Sequence, residues 1–319
     1  MPCQGKAQIE ATGFIRNYNA VQTTPEHEIL VGRNRFRLDM SRSFSAGQIQ
    51  ISNEVQNFYT DGVDSLDFRL REAYADLYFT NSDLRVGKQI ISWGRTDGAF
   101  IADILSPVNL SEFLTQDFSD IRTGLSAISY THYFGSNYLQ FIVNPVFHPN
   151  VTPRPGSRWF PRTFFDGNTQ TQLRPYEPEP SLRNAQFGGR FAFRSNLNYD
   201  LDLGVLYWHY PNPSYSKNFE ANLFEEGVLQ LTETFTQSLV VMYSGTLQLG
   251  DRLFLKSEAS YYTKRSFDYL SEDLRNFDIT NPSFLERLQL AQIFENNTDG
   301  FLEERPWLIG MFRTGLYPG

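Results

Sequence analysis

The sequence is poor in the residues that usually carry chemistry or covalent cross-links. A single cysteine, Cys3, excludes an internal disulfide, and it sits at one end beside Met1 and Pro2. There are four histidines, His27, His132, His148 and His209, and none has a serine two residues away, the spacing that would put a Ser–His pair on one face of a strand. The turn glycines carry no phosphate-loop pattern. No apolar run approaches the roughly 20 residues of a membrane-spanning helix. Basic residues are outnumbered, 28 Lys and Arg against 36 Asp and Glu, so the whole-chain field opposes nucleic acid as a partner. No basic stretch followed by an apolar one precedes Lys6, so an exported form of this sequence begins after a cleaved leader.

What is abundant is aromatic residues, 28 Phe and 17 Tyr, together with a polar mean hydropathy of -0.40. That pairing suits side chains standing between an apolar and a wet surface. Period-two alternation runs through much of the chain. In SLVVMYSGTLQLG, Leu239, Val241, Tyr243, Leu247 and Leu249 share one face, with Ser244, Thr246 and Gln248 on the other. QIQISNEVQ sets Ile49, Ile51 and Val55 against Gln48, Gln50, Ser52, Glu54 and Gln56. FGGRFAFR separates Phe187, Phe191 and Phe193 from Arg190 and Arg194, and RLFLKSEASYYTK separates Leu253, Leu255, Ala259 and Tyr261 from Glu258.

The strand RNRFRLDMS is the most telling, with Arg33, Arg35, Arg37 and Asp39 on one face and Phe36, Leu38 and Met40 on the other. A soluble sandwich would turn the arginines to solvent. In a membrane barrel an arginine at the lipid midplane costs about 2–4 kcal/mol, so they must line the lumen. The connections favour the barrel. Strands are expected near 6–17, 28–43, 48–59, 65–80, 84–94, 123–134, 138–148, 185–195, 199–210, 237–249, 252–264 and 305–317. Tight turns between them alternate with long loops at 95–122, 149–184, 211–236 and 265–304, the order of an up-and-down meander with its long loops at one end. Loops beyond about 20 residues are uncommon in compact soluble domains. One strand needs a bulge near Arg71 and Glu72 to keep a single apolar face, leaving Glu72, Tyr74 and Asp76 inward.

The stretch 95–122 interrupts this rhythm. Asp97 is expected to cap a short helix through Ile104, ended by Ser106-Pro107, and Phe100, Ile101, Ile104 and Leu105 are too apolar for a solvated loop, so it should bury itself in the barrel. Here DLRVGKQIISWGRTDGAFIADILSPVNLSEF resembles a segment of proteobacterial outer-membrane, porin-like barrels related to alginate exporters. Gly87, Lys88, Gln89, Trp93, Gly94, Asp103, Ser106, Pro107 and Asn109 carry the match. It departs from that pattern in having Ser106 before the proline where asparagine is usual, and in ending TGLYPG without a terminal aromatic residue. The resemblance implies an outer-membrane channel or exporter and names no substrate.

The fold expected is therefore all-β, an antiparallel up-and-down transmembrane barrel with about twelve strands visible, closed or part of a larger barrel, and a short helical third loop. Residues 1–319 form one barrel domain. The function expected is non-enzymatic passage of small, anionic solutes or oligosaccharides, without metal or cofactor, in contact with outer-membrane lipid and lipopolysaccharide. Arg33, Arg35, Arg37, Asp39, Arg190 and Arg194 would line the pore, with Glu54, Glu72, Asp76 and Glu258 as an opposing acidic wall. Arg95, Asp97, Phe100, Asp103 and Pro107 would form a constriction with Arg95, Asp97 and Asp103 open to the solute. The alternatives are a plugged binding or structural barrel, in which the same charges form internal salt bridges, and a soluble sandwich. Acidic pairs such as Glu225-Glu226, Glu272-Asp273 and Glu303-Glu304 read as solvated loops, and Trp159, Phe160, Phe164 and Phe165 as a cover for the barrel mouth or a loop packed on itself.

Overall fold

A computed structural model describes residues 9–316 apart from 24–28, 61–62, 96–99, 113–119, 154–158, 160–169, 196–197, 221–226, 251–252, 270–273, 275–276, 278–281 and 298. Cys3, His27, Asp97, Phe160, Phe164, Phe165, Glu225, Glu226, Glu272 and Asp273 lie outside the described residues.

Twelve strands form one antiparallel sheet in which every neighbour is next along the chain apart from inserted loop elements. They are β1 (Ile9–Val21), β2 (Ile29–Phe44), β3 (Gly47–Thr60), β4 (Val63–Tyr78), β5 (Ser82–Gln89), β6 (Leu125–Phe134) and β7 (Asn137–Asn144). After β8 (Gln170–Arg174), which stands apart, come β9 (Gln186–Arg194) and β10 (Tyr199–His209). Beyond β11 (Ser214–Glu220) and β12 (Val228–Thr234) the sheet resumes with β13 (Gln237–Leu249) and β14 (Leu253–Asp268), and after helix α1 (Phe284–Asn296) it ends with β15 (Leu302–Leu316). Among the described residues β1 pairs only with β2 and β15 only with β14.

Alternation decides which way each side chain points. Where β10 meets β13, Val205 and Tyr207 stand outward beside Val241 and Leu239, while Leu206 and Trp208 point inward beside Val240 and Ser238. The outward set is exposed and apolar along the wall, including Phe36, Ile49, Phe68, Phe141, Leu308 and Phe312. Arg33, Arg35, Glu54, Gln56, Asp202 and Glu258 are buried on the inner side. This is the polarity of a membrane barrel, the reverse of a soluble sandwich.

The bulge falls at Arg71. Ser52 faces Glu72 and Asn53 faces Leu70, leaving Arg71 as the extra residue on β4. Leu66, Phe68 and Leu70 before it and Leu77 and Phe79 after it are thereby all exposed, and Asp76 is buried.

The long connections contain structure of their own. β11 pairs antiparallel with β12, and β12 parallel with β8. Against this small sheet α1 packs Leu290 and Phe294 onto Phe219, Leu274 and Phe301, a second apolar cluster. Among the described residues the third loop, where a helix was expected, has none, and this helix lies in the last long connection. It starts at a capping box, Ser283 Oγ accepting from the Glu286 N–H at 3.4 Å while the Ser283 N–H donates to Glu286 Oε2 at 2.7 Å. Residues 100–112 instead run through bends, turns and isolated bridges. Their apolar side chains are shared among several walls, which one helix face cannot do.

Candidate functional site

The inner space is taken up by the chain between β5 and β6. This lumenal segment leaves β5 at Ile90 and is tied to itself at once. The Ile91 N–H donates to Ser106 Oγ at 2.7 Å, Ser106 Oγ donates back to the Ile91 carbonyl at 3.0 Å, and the Trp93 N–H donates to Asp103 Oδ1 at 3.2 Å. Two polar side chains thus satisfy strand-end groups that would otherwise be buried unpaired. Asp103 also holds the Arg122 guanidinium, and the Pro107 carbonyl accepts from the Thr123 N–H at 2.8 Å, closing the segment into a loop.

One side of the segment is apolar. Trp93, Ala102, Ile104 and Leu105 pack with Leu125 and Ala127 of β6, Ile142 of β7, Leu206 and Trp208 of β10, Val240 and Met242 of β13 and Tyr262 of β14, and Trp307 and Ile309 of β15 adjoin them. Trp93 fits because two wall positions are glycine. A Cβ on Gly204 would lie 2.6 Å from Met242 Cγ and 3.1 Å from the Trp93 ring, and one on Gly188 would lie 3.3 Å from it. The indole N–H donates to Gln140 Oε1 at 2.9 Å.

The other side is charged. Arg33 binds Glu112 at 2.9 Å, Arg35 binds Asp120 at 2.8 Å, and Arg37 binds both Asp120 at 3.0 Å and Glu54 at 2.9 Å. Arg35 Nε lies 3.6 Å from Glu54, Arg71 donates to the Asp120 carbonyl at 3.0 Å, and Arg16 of β1 stands 3.9 Å from Asp120. Burial alone would raise the Asp120 carboxyl, but the guanidiniums of Arg37, Arg35 and Arg71 hold it below the ordinary carboxylate value. One segment therefore touches the wall from β1 round to β15, which requires the sheet to curl about it. The wall is that of an antiparallel up-and-down barrel.

The sequence-derived site residues other than Asp97, which lies outside the described residues, fall inward, but several in other roles than expected. Glu54 is not across the lumen from the arginines; it is their neighbour on β3 and neutralises them, because charges removed from water cost several kcal/mol each unless paired. Asp76 is bound to Arg85 of β5 at 2.6 Å, Glu72 accepts the Ile90 N–H at 2.8 Å, and Ser52 donates to Asp39. Glu258 is on the far wall, where it receives the N–H groups of Arg95 and, at 3.3 Å, Ala102. Arg95 and Asp103, expected to face the solute, are engaged: Arg95 reaches Asp202 at 2.7 Å and Asp200 at 3.1 Å on β10. Phe100 lies under the Arg122 guanidinium, 5.4 Å from ring centre. Arg194 binds Asp202 at 2.8 Å. Asp120, Glu112 and Arg122 were not singled out from sequence; the only signal for Asp120 and Glu112 was opposite charge on the segment that the arginine strand had to meet, and Arg122 pairs within the segment, with Asp103.

No curated protein matches the sequence. Among solved structures the chain is similar to the L8-loop deletion mutant of OmpT, an outer membrane protein of Vibrio cholerae, at 11% identity over 83% of this chain and 78% of that one, with a TM-score of 0.34. It is similar also to an anion-selective porin from Comamonas acidovorans, at 11% identity over 84% and 86%, with a TM-score of 0.33. Likeness at this level adds nothing to what the strand pairing already gives. A sequence-family match is much firmer and covers residues 17–279, from the first strand through the arginine strand and the lumenal segment to the far wall. The chain belongs to DUF1302, a family described as proteins of unknown function.

Proposed function

We propose that this chain is an integral, non-enzymatic outer-membrane channel that passes small solutes between its wall and the segment folded into its lumen. The observation that carries this reading is the inverted polarity of the wall, apolar outside and charged within, around a segment tethered to both sides. Outer-membrane lipid and lipopolysaccharide cover the exposed Phe, Leu, Ile and Val band, and the solute is a small anion or an oligosaccharide. The resemblance of Gly87 to Asn109 to outer-membrane channels and exporters is compatible with export and uptake equally and does not select the solute.

The barrel type expected from sequence leaned on Arg33, Arg35 and Arg37 as an anion-selective stripe. Their pairing with Glu54, Glu112 and Asp120 makes them anchors of the segment instead. The same ion pairs favour a second reading, a plugged barrel that binds without conducting. Planar-bilayer recording of the refolded protein separates the two. A channel gives discrete conductance steps, and deleting residues 98–108 enlarges them severalfold. Silence from an inserted, folded barrel, with conductance only in the deletion, would leave the plugged reading standing.

A further inference from the structure

Between the lumenal segment and the tight-turn end of the barrel lies a cavity of about 400 Å3. Its roof is Ile90, Ile91 and Ser92 of the segment; its sides are polar, with Gln48, Ser129, Thr131 and Tyr133 among them, and Arg190 of β9 stands in its wall. The other charged side chains lining it are hydrogen-bonded within the wall. Asp76 holds Arg85 at 2.6 Å, and Asp83 accepts from the Tyr133 hydroxyl at 2.8 Å.

Arg190 is different. Its guanidinium lies against two rings, 5.1 Å from Trp93 and 5.3 Å from Tyr138, which restrict its orientation. Among the described residues, it makes one hydrogen bond, Nη2 to Gln140 Oε1 at 2.9 Å, and Nε is buried with none. Gln140 is engaged elsewhere as well, its oxygen also taking the Trp93 indole N–H and its nitrogen donating to Ser129 Oγ at 3.0 Å. Among the described residues no carboxylate forms an ion pair with Arg190. Asp202, whose field reaches it, is already held by Arg95 at 2.7 Å and Arg194 at 2.8 Å, and Asp200 by Arg95. Both carboxylates nearest to Arg190 on this wall are thus already engaged by other guanidiniums.

We infer that Arg190 is the anion-recognition residue of the lumen, taking the carboxylate of a small hydroxylated organic acid that fills this cavity. A planar, ring-braced guanidinium with donors to spare suits a carboxylate. The surrounding hydroxyls and amides suit a polyhydroxylated body, and the volume suits a solute of several carbons more than an inorganic ion. The inference deepens the channel reading and rests on it for its biological meaning, but the binding it requires is measurable without conduction.

The probe is sodium gluconate, titrated calorimetrically into the refolded full chain in detergent, with sorbitol as the uncharged analogue of the same size. Gluconate is expected to bind saturably and sorbitol not to bind. Arg190→Gln should weaken gluconate binding at least tenfold. Thr131→Trp, which fills the cavity and leaves every contact of Arg190 in place, should abolish it, so a folding defect in the first variant would not hide the result. Folding of each is checked by heat-modifiable electrophoretic migration. No saturable binding to the unaltered protein, or equal affinity for sorbitol, or undiminished affinity in both variants, overturns the assignment. Bilayer recording then separates the two claims. Conductance without gluconate binding keeps the channel and removes the site, whereas binding without conductance keeps the site and removes the channel.

Discussion

The two halves of the lumen hold the same segment by different chemistry. On the side of β6 to β15, Trp93, Ile104 and Leu105 are sunk in an apolar cluster of wall side chains. On the side of β1 to β4, Asp120 and Glu112 sit in a comb of arginines. The apolar contact needs shape and is nearly indifferent to pH and salt. The ionic contact needs both partners charged, and each unpaired member would be left in a dry interior. One attachment is permanent under ordinary conditions, then, and the other is conditional.

The largest expected effect lies on the apolar side. Trp93→Ala removes a buried indole from between Gly188 and Gly204 and should cost about 3–5 kcal/mol, seen as a lower urea midpoint for the folded barrel. A midpoint unchanged within error would mean that the apolar half does not anchor the segment. Asp120→Asn should cost less, about 1.5–3 kcal/mol, since hydrogen bonds to the guanidiniums persist in part. It has a pH signature that Trp93→Ala lacks. The folded Asp120 carboxyl is held below its unfolded value of about 3.9, so its stabilising effect is complete above that pH and is lost as pH falls through the lower folded value. Limited proteolysis between Arg95 and Arg122 should therefore accelerate on strong acidification in the unaltered protein, and Asp120→Asn should flatten that acid limb. An acid limb of equal steepness in both would place the sensitive group elsewhere. The smallest effect is expected from Lys264→Ala, which breaks the 3.5 Å pair with Glu304 on the exposed rim. Both side chains are about half exposed, so a change of about 0–1 kcal/mol is expected, and a larger one would show that outer-rim charge matters as much as the lumenal pairs.

The wall was readable because lipid enforces it. Phe36, Leu38 and Met40 against Arg33, Arg35 and Arg37 leaves one assignment, and the parity break across 65–80 demanded the bulge that sits at Arg71. The inward burial of Ile101 to Leu105 followed from the same reasoning, as no solvated loop tolerates that run. What the residues could not reveal was partner choice. Arg35 meets Asp120 across 85 positions, and nothing local selects that carboxylate over the others in the loop. The parallel pairing of β12 with β8 is non-local in the same way. The helix is another matter: Ser283-Phe284-Leu285-Glu286 carries a capping box in plain view, and Asp97 drew the expectation away from it. Strand parity separates Arg190 and Arg194 from Phe187, Phe191 and Phe193, but the hydrogen bond of Arg190 to Gln140 and its two ring contacts are properties of the packed wall that no one-strand pattern contains.

The span of the segment's tethers also bears on how the molecule is put together. Glu112 meets Arg33 over 79 positions, while the Arg95 backbone meets Glu258 over 163. Closing the shorter span costs less chain entropy, but only by about 0.6 kcal/mol for a twofold difference in length, so the two tethers are nearly level in that respect. In the finished molecule the segment serves as a mandrel, with Trp93, Ile104 and Leu105 as the surface on which β6, β7, β10, β13 and β14 rest.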